Sequence, residues 1–236
     1  MKLQVIMEYN DEGYLFYFKK YTGAYVRGKT KEEAFSKIPQ ELDSYLKWSG
    51  MDESIPLDSI EPQIIQEKKS SLKINDADSD IIFESEKTPF SYSEYSELEK
   101  LVLRSAYDFS NMYESIPDKD QTVLKTRKTF YGNVPVTARE MYEHTNNVTS
   151  YYAREIGIDF TNDPDILKNR LNVMQEIEKK EDFLLNNILH GSYDELWSVH
   201  KALRRFIWHD RIHARAMYRM ALKTFKKDIY NPFFFI

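Results

Sequence analysis

Apolar and polar residues alternate along the first stretch of the chain, through Leu3, Val5 and Met7, then Tyr14, Phe16 and Phe18, then Ala24 and Val26, with breaks at Asn10–Gly13 and at Gly23. A period of two sends successive side chains to opposite faces, so this pattern predicts three short strands. Gly28-Lys-Thr-Lys-Glu-Glu-Ala34 follows. It places Thr30 three residues before Glu33, the reciprocal pairing that satisfies free amides at a helix start, and a helix is expected from about Thr30 to Trp48. Residues 49 to 90 carry Ser54, Pro56, Pro62, Ser70 and Ser71 and one β-like run, Asp80-Ile-Ile-Phe83, which predicts a connection with one extra strand at that run.

Beyond Pro89 the period changes, and capping signals recur at the heads of long amphipathic segments. Ser91 with Glu94 opens a helix reaching about Ile116, and Thr137 with Glu140 opens a second that ends near Gly157. Asp163-Pro164 opens a third, expected to stop at Gly191, and Ser192 with Glu195 opens a fourth running to about Lys227. Four such helices with mostly short joins argue for a four-helix bundle. The exception is Pro117 to Pro135, long enough for a crossover with a small hairpin through Thr129-Phe-Tyr-Gly-Asn133. The expected fold class is therefore α+β: a β-β-β-α unit over residues 1–50, a linker over 51–88 and an all-α bundle over 89–236.

Charged residues make up 30% of the chain and its net charge is −5, a balance that fits an ordinary folded chain and gives no bulk attraction to nucleic acid. No charged-then-apolar leader stands at Met1, and no apolar run nears the ~20 residues a membrane-spanning helix needs, so no membrane partner is expected. Cysteine is absent, which removes disulfides, thiolate ligands and a cysteine nucleophile and fits a reducing, cytoplasmic setting. Any thiol chemistry would need an external thiol. Charge is also uneven: Lys201 to Lys227 holds nine basic residues against one acidic, and residues 76 to 99 hold eight acidic against one basic. Complementary solvated faces, which could also dock the linker on the bundle, explain this. A nucleic-acid stripe of Arg204, Arg211 and Arg215 is the alternative, without interleaved aromatics to support it.

The candidate chemistry is carried by histidine. His209 and His213 are four apart in the fourth helix, hence one turn apart on one face, a two-point clamp for a metal ion. A catalytic ion needs another ligand, and His144, about two turns into the second helix, is the best placed. The same periodicity turns Ala202, Arg205, Phe206, Ala216 and Met220 toward that face and Arg204, Arg211 and Arg215 away from it. His200 projects elsewhere, and His190 is explained by a helix end at Leu189-His190-Gly191. Glu140 is a further ligand candidate, but capping accounts for it. His209-Asp-Arg-Ile-His213 differs from the zinc-protease pattern in its shorter Asp210 and in lacking a downstream His or Glu ligand. A di-iron carboxylate bundle would want paired Glu-x-x-His motifs, which Met141-x-x-His144 and Phe206-x-x-His209 do not supply.

With His144 in Thr137-Ala-Arg-Glu-Met-Tyr-Glu-His144 and the pair in Trp208-His-Asp-Arg-Ile-His-Ala-Arg215, residues 90 to 227 resemble the DinB-like superfamily of bacterial four-helix bundles. In that superfamily one histidine sits on the second helix and a His-x-x-x-His pair on the fourth. The first 50 residues resemble the HicB-like antitoxin domain through strand-turn-strand, Gly28-Lys-Thr-Lys-Glu-Glu-Ala34 and an amphipathic helix; Lys29 stands where that family commonly has an acidic residue.

The first resemblance implies a divalent metal (Zn, Ni or Fe) on His144, His209 and His213. It further implies a metal-dependent transferase or isomerase using a low-molecular-weight thiol on a small-molecule substrate. Arg205, one turn before His209, and Tyr151 of the second helix are candidate substrate contacts, with a surface arginine and a packing tyrosine as the alternatives. The second resemblance implies a non-enzymatic, regulatory alternative in which residues 1–50 bind a protein partner and the metal site is structural or vestigial. Assembly as a homodimer is a further expectation.

Overall fold

The structure, a computed structural model, describes residues 1–53, 55–74, 78–129 and 132–236. The N-terminal alternation folds as three antiparallel strands, β1 (Lys2–Asn10), β2 (Gly13–Phe18) and β3 (Tyr25–Gly28). The first turn is held by Asn10 Oδ1, which accepts from the amides of Glu12 and Gly13 at 2.9 and 3.1 Å. β4 (Glu61–Lys69) pairs with β1 in parallel and completes a sheet of order β3-β2-β1-β4.

The extra strand is therefore at Glu61–Lys69 and not at Asp80-Ile-Ile-Phe83. As an edge strand β4 keeps half-exposed, polar-rich positions and tolerates Pro62, whose missing donor costs an edge little. Ile81, Ile82 and Phe83 form no strand. They are apolar because they are buried, and Phe83 packs on the sheet, 5.4 Å from Tyr17 of β2, centroid to centroid.

The helix expected from Thr30 to Trp48 is two helices, α1 (Lys31–Phe35) and α2 (Ile38–Ser49). Pro39 lies in the first turn of α2; a proline deeper in one continuous helix would clash with the carbonyl four residues back, so the chain restarts there. Thr30 Oγ1 accepts from the Glu33 amide at 3.1 Å, while the Glu33 carboxylate takes the amide of Lys29 instead of closing back on Thr30.

Four longer helices follow: α3 (Tyr92–Ser115), α4 (Ala138–Glu155), α5 (Ile166–Glu178) and α6 (Val199–Phe225). The capping boxes at Ser91/Glu94 and Thr137/Glu140 are both present. Between α3 and α4, β5 (Lys128–Thr129) pairs with β6 (Gly132–Asn133), the arms of the expected hairpin; residues 130 and 131 lie outside the described residues.

The third helix ends thirteen residues before Gly191, because after Ile177 the run Glu178-Lys-Lys-Glu-Asp182 offers no apolar face to bury. Its N-cap is Asp165, just past the expected Asp163-Pro164. The fourth helix starts at Val199, capped by Ser198 and not by Ser192. Tyr193 and Asp194 take left-handed backbone angles, φ 58 and 60, which no helix through Ser192 could accommodate. A short hairpin, β7 (Leu189–His190) with β8 (Leu196–Trp197), fills the interval.

What organises these elements is α6. Tyr17 and Tyr25, on one face of the sheet, pack on Trp208 of α6 at 5.6 and 6.2 Å. Phe16, on the opposite face, packs on Phe35 of α1 at 4.7 Å. The sheet is thus covered by α1 and α2 on one side and by α6 on the other, while α6 turns its remaining sides to α3 and α4. Gly23, at φ 90, lets the β2–β3 loop touch Ile207 of α6, where a Cβ would collide with that side chain. Side chains from the sheet, from α2 and from the four long helices belong to one contiguous buried cluster, closed at the C-terminus by Phe233 stacked on Trp48. Among the described residues no helix is long and apolar enough to cross a membrane.

The basic face of α6 is buried, not solvated. Arg204 is 2% exposed and paired with Glu86 of the linker, and Arg211 is 0% exposed and paired with Glu41 of α2, which also holds Arg215. A solvated basic face is thereby corrected: Arg204 and Arg211, two of the three residues of the nucleic-acid stripe, are spent on carboxylates inside the protein, and the acidic segment meets the helix through Glu86. Burial alone would raise the Glu41 carboxyl, but Arg215 and Arg211 outweigh it and hold it below its ordinary 4.5.

Because the native pKa of Glu41 lies below the unfolded one, the unfolded chain binds the extra proton. The stabilisation is full above 4.5 and is lost as pH falls through the lower native value. Glu41→Ala is expected to cost about 3–5 kcal/mol at pH 7, since it strands a buried guanidinium, and to flatten the acid limb of stability. Urea unfolding across pH 3–7 reads both; a loss under about 1 kcal/mol, the size of a surface pair, would show that Glu41 is not what secures α2 to α6.

Candidate metal centre

The i, i+4 spacing on α6 stacks His209 and His213 with ring centroids 4.3 Å apart. α4 packs along this face and brings His144 to 4.6 Å from His213 and 5.1 Å from His209. One nitrogen from each of the three lies within 4.8 Å of the others, and among the described residues no carboxylate joins the group. His209 is buried, His213 half-buried and His144 exposed, so the cluster opens to solvent on the His144 side.

All three imidazoles are depressed in basicity. His209 is held well below its ordinary value by burial first and then by His213, His144, Arg205 and Arg170. His213 follows through burial, His144 and Arg27, and His144 through desolvation. Each ring is therefore neutral at pH 7, the form that offers a lone pair to a metal. His209 Nδ1 is buried with no hydrogen-bond partner, an expensive arrangement that a ligand on the cluster would relieve. Three neutral rings, an orphaned nitrogen and an open side fit a divalent ion of the kind imidazole binds. Glu140 is not among the ligands: its Oε2 accepts the amides of Val136 and Thr137 at 2.8 and 3.1 Å, the capping role.

Asp210, between the two α6 histidines, turns the other way. Its Oδ1 accepts from Arg170 Nη2 at 2.9 Å and its Oδ2 from Ser105 Oγ at 2.7 Å, and both members of the ion pair are 0% exposed. Arg170 also donates to Thr149 Oγ1 and to the Thr145 carbonyl, and its guanidinium lies 4.2 Å from the Phe206 ring centroid. One buried group of contacts thus ties α3, α4, α5 and α6 together next to the histidines and fixes the helix that carries His144. An Asp210 so engaged is no general base, which removes the protease pattern on structural grounds as well.

Arg205 sits one turn before His209, and its charge is felt there. Its Nη1, however, donates to the Ser79 carbonyl at 2.5 Å, and the guanidinium lies 4.7 Å from the Trp208 ring. Tyr151 packs edge-on to Trp197 at 6.1 Å, whereas its neighbour Tyr152 meets the His209 ring edge-on at 6.2 Å. Two contributors were missed in the sequence, Tyr152 and Arg170. The second had a signal: Ile166, Arg170, Val173, Met174 and Ile177 share one face of α5, so an arginine stands in an apolar stripe. His200 stacks on Phe90 at 5.5 Å, away from the trio. His190 lies on β7, with no helix end to explain it, 3.8 Å from Asp194.

No protein-family model, no curated protein and no solved structure matches the chain.

Removing one member of a fully buried ion pair strands the other. Arg170→Met is therefore expected to destabilise the chain by about 3–5 kcal/mol, and Arg170→Met/Asp210→Leu by clearly less than the sum of the two single changes. A double-mutant cycle by chemical denaturation reads the coupling, and additive single effects would show that the pair does not act as a unit.

Proposed function

We propose that His144, His209 and His213 hold one divalent ion (Zn, Ni or Fe) and that the chain is a DinB-like metal-dependent transferase or isomerase working with a low-molecular-weight thiol. The observation that carries this reading is the meeting of three neutral imidazoles from two helices at a place open to solvent on one side, with no carboxylate among the described residues to close the set. Three protein ligands leave coordination positions free, the arrangement of catalytic rather than structural sites. An ion held there by His144, His209 and His213 would lower the pKa of a bound water or thiol and so would supply the nucleophile that a chain without cysteine lacks.

The chain's own groups suit an anionic reactant. The charges of Arg205 and Arg170 both reach His209, so the local potential favours a thiolate over its thiol. Arg205 is held in place by Ser79 and acts as a fixed positive charge, while Tyr152 walls the buried side of His209. The HicB-like reading of residues 1–50 as a protein-docking module is the weaker one. Both sheet faces are covered, and Met1 is the only large apolar side chain exposed among residues 1–50, leaving no apolar patch of the kind that docking uses.

Protein reconstituted with each metal in turn is expected to conjugate a low-molecular-weight thiol to an alkylating electrophile, with adducts read by mass spectrometry. The rate should fall to that of free thiol on adding a chelator or in His144→Ala. A protein that binds metal but never exceeds the thiol-alone rate across several thiols and electrophiles would sink the enzymatic reading.

A further inference from the structure

A polar cavity lies apart from the three histidines, none of which lines it. β3, α1, α2 and the C-terminal half of α6 enclose a cleft of roughly 300 Å³, with Tyr14, Tyr25 and Phe235 among its walls and Arg27, Arg215 and Arg219 converging on it. The acids near it are largely committed. Glu41 is engaged by both Arg211 and Arg215, and Glu33 by Lys37 and by the amide of Lys29. Glu12 stands exposed at the rim.

Arg219 differs from its neighbours in having no hydrogen bond or ion pair among the described residues. Partial desolvation and the charge of Arg215, then that of Arg27, hold its pKa below the ordinary value. An arginine pushed against two others in a concave, partly desolvated place is unfavourable unless an anion joins them. Guanidinium favours planar oxyanions because its donors form a fixed fork that matches two oxygens at once. The rings give the rest of such a ligand somewhere to pack: Arg215 lies 5.2 Å from Tyr25 and 4.6 Å from Phe235, so the charged and aromatic walls are contiguous.

We infer that this cleft is a binding site for a small oxyanion-bearing molecule, a carboxylate or a phosphate on an organic body. The oxyanion sits against Arg219 and Arg215, and the organic part packs on Tyr25 and Phe235. The volume lies at the small end for ligand pockets, which suits a metabolite-sized molecule and not a polymer. Because the site uses none of the three histidines, it stands or falls separately from the metal reading.

Titration calorimetry on the full chain, near 0.15 M salt, tests this with phenyl phosphate, benzoate and inorganic phosphate, and with benzyl alcohol as the uncharged comparison. Saturable binding of phenyl phosphate or benzoate, tighter than benzyl alcohol, is expected, and whichever anion binds more tightly identifies the head group. Arg219 is exposed and unbonded, so Arg219→Gln should fold normally and weaken that binding by about tenfold or more, while Arg154→Gln on α4 leaves it unchanged. No saturable anion binding, equal affinity in Arg219→Gln, or equal loss in both variants would overturn the assignment.

Discussion

α6 is buried on more than one side, and every charge it carries inward has to be answered by a different part of the chain. Lys201 meets Glu195 before the helix, Arg204 meets Glu86 of the linker, Asp210 meets Arg170 of α5, and Arg211 meets Glu41 of α2. Charges taken from water are costly unless paired with good geometry. These pairs therefore specify which element lies against which face of the helix more than they add net stability. α2, the segment before α3, α5 and the segment just before α6 each contribute one partner.

That constraint positions the histidines. Arg170 binds Asp210 on one helix and Thr145 and Thr149 on another, so α4 and α6 are clamped within a turn of His144 and His209. A trio assembled from two helices keeps its spacing only if the helices cannot slide, and a buried, fully engaged guanidinium resists sliding better than interchangeable apolar contacts do. The same helix faces the sheet through Trp208 and Arg215, which is how the N-terminal strands come to line the arginine cleft.

Much of this was legible in the sequence. The alternation through Leu3 to Val26, the capping boxes at Ser91 and Thr137 and the i, i+4 histidines all rest on local rules, and local rules survive in the fold. The convergence of His144 with His209 and His213 was anticipated from the i, i+4 pair and the helix order together with the DinB-like resemblance of the motifs. Most of what failed was non-local, although Pro39, which splits the helix expected from Thr30 to Trp48, was a local signal. Nothing local reveals that Glu61–Lys69 would pair in parallel with β1 while the more apolar Ile81–Phe83 would be buried without pairing. Arg204 and Arg211 read as a solvated face because their partners, Glu86 and Glu41, lie more than a hundred residues away in sequence. The left-handed Tyr193 and Asp194 gave no warning that a helix could not run through Ser192.

The central claim is that the three histidines act together as a metal site, and metal content tests it most directly. Elemental analysis of protein purified without a histidine tag, for the wild type and for His209→Ala/His213→Ala shown to be folded by circular dichroism, should find one divalent ion per chain in the first and none in the second. The same metal content in both proteins, or none in the wild type after reconstitution, would contradict it.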